Sequence, residues 1–167
     1  MKHRVALVII FVALTLGVSW AQDPIVDGIV QSNEYKYVQN KDGMNLGARL
    51  SADSTTLFLS ISAKTSGWVS VGAGSAKMDG AFMVIGYVSG STPNFLYQLG
   101  KGHSHSATSP AGVTAKVVET EAGTTLEVSF PAAQYVKAGV ADILVAYGKQ
   151  DEVRGRHAGR AAFKAKL

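Results

Sequence analysis

The chain has 167 residues, with 16 Lys and Arg against 12 Asp and Glu, and no cysteine. The missing cysteine excludes a disulfide framework and lipid attachment at a processed N-terminal Cys. Two of the basic residues, Lys2 and Arg4, fall in an expected targeting signal; the remaining 14 against 12 give a net charge of +2, which points to neither nucleic acid nor an anionic membrane as partner.

The chain opens on Lys2, His3 and Arg4, continues through an almost wholly apolar run at residues 5–18, and reaches Ser19-Trp20-Ala21, with small residues at the −3 and −1 positions. This is the pattern of a secretory signal peptide, residues 1–21, with cleavage expected after Ala21. The apolar run is shorter than the ~20 residues a bilayer span requires, so no membrane anchor is expected once the signal is removed. Residues 22–167 are expected to form one exported domain, periplasmic or secreted, with a single core sizeable enough to stabilise it.

Beyond residue 21 the apolar residues alternate with polar ones. Leu57, Leu59, Ile61 and Ala63 alternate with Phe58, Ser60, Ser62 and Lys64, and Leu126, Val128 and Phe130 alternate with Thr125, Glu127 and Ser129. Both segments read as half-buried strands. Segments 34–38, 44–50, 68–73, 81–88, 94–99, 113–119, 143–147 and 161–167 read the same way, separated by Gly, Asp, Ser and Pro clusters. About ten short strands without a long amphipathic helix predict an all-β fold, a two-sheet antiparallel β-sandwich. Residues 131–136 are the one stretch expected to make a helical turn, starting at Pro131. Residues 121–124 are expected to be a hairpin connection, and residues 100–112, rich in Gly, Ser and His, a surface loop. The basic residues Arg154, Arg156, Arg160, Lys164 and Lys166 near the C-terminus read as a solvated terminal strand.

One block is more specific. Gly67-Trp68-Val69-Ser70-Val71-Gly72-Ala73-Gly74 is followed by Met78-Asp79-Gly80-Ala81-Phe82-Met83-Val84-Ile85-Gly86-Tyr87-Val88. This block resembles the core signature of DOMON domains, with a Gly-Trp strand, a Gly-rich turn, a Met two residues before a Gly-Ala pair and a strongly apolar strand. Asp27-Gly28 and Glu34-Tyr35 are similar to the family's opening region, and His157-Ala158-Gly159-Arg160-Ala161-Ala162-Phe163 to its closing element. The resemblance covers about residues 25–167 and implies an immunoglobulin-like sandwich serving as an extracytoplasmic ligand-binding module, with haem and sugars as ligand classes.

In haem-binding members the iron is held by one Met and one His, and the matching positions here are Met78 and His157. The resemblance therefore implies a haem iron with both axial positions filled, suited to electron transfer with a redox partner protein rather than to activation of a substrate. Without cysteine the haem would be noncovalent, of b type. Phe82, Met83 and Tyr87 are expected to line its pocket, and Arg156 or Arg160 to meet its carboxylates. The resemblance also implies that Trp68 belongs to the core between the sheets.

The alternative is a carbohydrate-binding module of the same fold without haem. Tyr35, Tyr37, Tyr97 and Tyr135 are its candidate aromatic platforms, and Glu34 and Asn94 its polar partners. His103 and His105 would share a face of an extended segment, although two imidazoles alone make an incomplete metal site. No catalytic site is expected. The sequence shows no paired carboxylates with acid and base geometry, no nucleophile elbow, and no Gly-rich loop leading into a helix.

Overall fold

The computed structural model describes residues 22–110 and 112–167, so the expected signal peptide lies outside the described residues. The described residues form twelve strands: β1 (Tyr37–Lys41), β2 (Met44–Leu50), β3 (Thr56–Ala63), β4 (Val69–Ala73), β5 (Phe82–Ser89), β6 (Thr92–Lys101), β7 (Ser104–Ala107), β8 (Thr114–Thr120), β9 (Gly123–Pro131), β10 (Val136–Lys137), β11 (Val140–Tyr147) and β12 (Gly159–Lys166). A single helical turn, α1 (Ala132–Tyr135), follows Pro131, whose ring pre-sets the backbone just ahead of it. Among the described residues no helix is long and apolar enough to cross a membrane.

All pairings are antiparallel. One sheet has the order β1-β2-β3-β9-β8, and the other runs β10-β11-β4-β5-β6-β7 with β12 paired to the free side of β11. The sheets stack with β3 and β9 across β4, and β8 across β5. Between them lie Leu57, Leu59 and Ile61 of β3, Leu126, Val128 and Phe130 of β9, Val69 and Val71 of β4, and Ile143 and Val145 of β11, all almost fully buried. Each such side chain contributes about 1.5–3 kcal/mol on leaving water, which is how a chain without disulfides holds two sheets together.

The expected sandwich is present, with local differences. Residues 100–112 are not one loop: β6 runs on to Lys101, turns at Gly102 and His103, and returns as β7, with Lys101 opposite Ser104 and Gly100 opposite His105. Every residue of β7 is exposed, so this edge strand needs no apolar alternation and left none in the sequence. The two-residue strand β10 was likewise unforeseen, and β1 is shifted to residues 37–41 from the expected 34–38.

Residues 22–36 lie against the outer face of the five-stranded sheet. Glu127, pointing outward between inward-facing Leu126 and Val128, is 0% exposed. Its carboxylate accepts hydrogen bonds from the Tyr35 hydroxyl at 2.6 Å and from the backbone N–H groups of Gly28 at 2.7 Å and Asp27 at 3.1 Å. Covering this face leaves the outer face of the other sheet as the open one.

Candidate functional site

Strand pleating decides what that open face carries. On β4, Val69, Val71 and Ala73 point to the core, so Trp68 just before the strand and Ser70 within it point outward. On β5, Phe82, Val84 and Val88 pack toward the core, while Met83 and Ile85 point outward; on β11, Ile143 and Val145 point inward, and Leu144 and Ala146 outward. The outward set forms the floor of a cleft of about 420 Å³. That volume lies in the range of about 300–1,000 Å³ typical of small-molecule sites.

Met78 enters the cleft from the loop between β4 and β5. This loop folds over the end of β6: Gly80 N–H donates to the Gly100 carbonyl at 3.0 Å, Gly100 N–H to the Ala81 carbonyl at 2.9 Å, and Gly102 N–H to Asp79 Oδ1 at 2.7 Å. A Cβ on Gly100 would lie 1.7 Å from the Met78 carbonyl oxygen and 3.2 Å from Met78 Cγ. Only a residue without a side chain lets the loop sit this close, and the closeness positions Met78.

His157 comes from the connection between β11 and β12, anchored where Ala158 N–H donates to the Tyr147 carbonyl at 2.8 Å. Its ring meets Trp68 edge-on, with centroids 5.5 Å apart and planes at 76°. Trp68, 3% exposed, packs with Ile85 and Ala146, and its indole lies against Gly148, where a Cβ would fall 2.2 Å from Nε1. Partial burial, together with the charges of Arg160 and His105, pushes the His157 imidazole below its ordinary range. The shift favours the neutral ring, whose lone pair can bind an electrophile.

Lys41, Lys77 and Arg160 line the cleft beside these groups, and none of the described residues lining it is acidic. His105 lines it from β7, its Nδ1 2.8 Å from Gln98 Oε1. Among the described residues, no group of three or more His, Cys, Asp and Glu is placed to hold a metal ion.

The structure therefore brings Met78, His157, Met83 and Arg160 of the expected site into one cleft. Phe82 is excluded: as the neighbour of Met83 on a pleated strand it faces the other way, in an aromatic cluster with Phe130 and Tyr135. Tyr87 is on the outer face and packs against the Trp68, Ile85 and Ala146 cluster without lining the cleft, and Arg156 lines an adjoining hollow with His157. Trp68 is likewise not between the sheets, because Val69 and Val71 take the inward positions on its strand. Of the candidate sugar platforms, Tyr35 is buried on Glu127, Tyr135 packs on Phe82 and Phe130, and Tyr37 and Tyr97 pack against the core. His103 sits in the turn before β7, away from the cleft that His105 lines. Sequence reasoning missed Gly100, Asp79, Gln98, Lys41 and Lys77. A glycine inside a strand marks a close backbone approach, so Gly100 carried a readable signal.

A scan against protein-family models and a search of curated proteins find no match. Among solved structures the chain is similar to the cytochrome b domain of pyranose dehydrogenase from Coprinopsis cinerea, at 17% identity and a TM-score of 0.56 over 73% of this chain and 75% of that one. It is similar to the cytochrome domain of Myriococcum thermophilum cellobiose dehydrogenase at 12% identity and a TM-score of 0.56, over 78% and 81% of the two chains. A family 9 carbohydrate-binding module from Caldicellulosiruptor kristjanssonii, solved with cellotriose, matches at 13% identity and a TM-score of 0.47 over 84% and 78%. The fold is a DOMON-like antiparallel β-sandwich, as the sequence block implied.

Proposed function

We propose that the outer-face cleft binds haem b noncovalently, with Met78 and His157 as axial ligands, and that the protein is an exported electron-transfer module. The observation that carries this reading is that Met78 and His157, far apart in the chain, line the same cleft. The residues present fit the group. A thioether and a neutral imidazole are an established axial pair, the floor is apolar, and Lys41, Lys77 and Arg160 supply cations for two propionates. When bound, haem supplies one-electron redox chemistry, and Met ligation raises its potential. The chain's own part is to bring both donors over the sheet face from two connections, Met78 before β5 and His157 before β12, and to exclude water with Trp68, Met83, Ile85 and Leu144.

Haemin titrated into the purified protein tests this. The expected result is one equivalent bound, with a sharp Soret band and a low-spin six-coordinate spectrum that Met78→Ala and His157→Ala each abolish. A protein that takes up no haemin overturns the reading and returns the sugar alternative. A variant that keeps the unaltered spectrum shows that another residue is the ligand.

A further inference from the structure

His105 has no role in the haem reading, yet it faces the same cleft as Met78 and His157. Its place follows from register. It stands directly opposite Gly100 on the β6–β7 ladder, and Gly100 is the residue over which Met78 folds, so Met78 and His105 are neighbours at one end of the cleft. His157 enters the same cleft from the connection between β11 and β12, beside Trp68. Gln98 Oε1 lies 2.8 Å from His105 Nδ1; in the neutral tautomer that donates from Nδ1 to this oxygen, Nε2 is the nitrogen with a lone pair for a metal.

We propose that Met78, His105 and His157 form a site for a single copper(I) ion, in competition with porphyrin for the two residues they share. The donor set selects the metal. A thioether is a soft ligand that favours copper(I), and imidazole suits copper, whereas zinc is held by thiolates, imidazoles and carboxylates, and calcium and magnesium by oxygen. None of the described residues lining the cleft is a carboxylate, so nothing there would neutralise a divalent ion. Lys41, Lys77 and Arg160 beside the donors favour the lower charge for the same reason. The Gln98 contact to His105 is the kind of outer hydrogen bond that fixes a ligating imidazole.

The test is a titration of copper(I) under anaerobic, reducing conditions into protein prepared without haem, against a chromophoric copper(I) chelator. One copper per chain is expected. His105→Ala should no longer take copper from the chelator, and Gln98→Ala should weaken binding by about 10–100-fold. His105 is exposed on an edge strand, so its replacement leaves the core intact, and haemin binding by His105→Ala should keep its six-coordinate spectrum. Uptake of copper by a protein that binds no haemin upholds this site and removes the haem reading. The proposal is overturned if the unaltered protein removes no copper from the chelator, if His105→Ala binds copper as tightly as the unaltered protein, or if zinc binds more tightly than copper(I).

Discussion

A Cβ built on Gly100 would fall 1.7 Å from the Met78 carbonyl oxygen, far inside van der Waals contact. Gly100→Ala must therefore push the 75–80 loop off the end of β6 and break the Gly80–Gly100 hydrogen bond. The expected cost is about 1–3 kcal/mol of stability by denaturant unfolding, the usual range for overpacking, together with weaker haemin binding. An alanine variant with unaltered stability and haemin affinity would show that the loop's position does not depend on this contact. Met78 and His157 were legible because each sits in a recognisable block; Gly100 and Gln98 were not, because they act through a loop and a register that exist only once β6 and β7 pair. Phe82 shows the opposite error. Its neighbour Met83 lies on the other side of the strand by pleating alone, so the alternation in the sequence already forbade both from lining one pocket.

The segment before β1 is held by Glu127, whose buried carboxylate meets Tyr35, Gly28 and Asp27. Burial raises the Glu127 carboxyl above its ordinary value of 4.5, outweighing the hydrogen bonds that lower it. A carboxyl raised in the folded state binds more protons there than in the unfolded chain, so its contribution is fully present below the unfolded value and is lost as pH rises through the folded one. The stability difference between the unaltered protein and Glu127→Gln should accordingly be larger at pH 4 than at pH 7. Denaturant unfolding at the two values measures it, and a difference that grows with pH would contradict the assignment. At this scale the interior strands were readable from alternation, as β3 and β9 show. Strand β7 was not, because an edge strand exposed on both faces places no apolar demand on its residues.

The molecule as a whole has two sheets with unequal outer faces. Residues 22–36 cover one through Glu127, and the other carries the cleft. The sandwich followed from the sequence, but the identity of the open face did not. Trp68 could point inward or outward until the partner sheet fixed Val69 and Val71 as core, and that outward turn makes it the wall against which His157 rests. The central claim is that Met78 and His157 together fill both axial positions of one haem in this cleft. It is tested most directly by exposing the haem-loaded, reduced protein to carbon monoxide and recording the absorption spectrum. The account predicts no shift of the Soret band in the unaltered protein and a shift in Met78→Ala, where one position has been opened. A shift in the unaltered protein would contradict it.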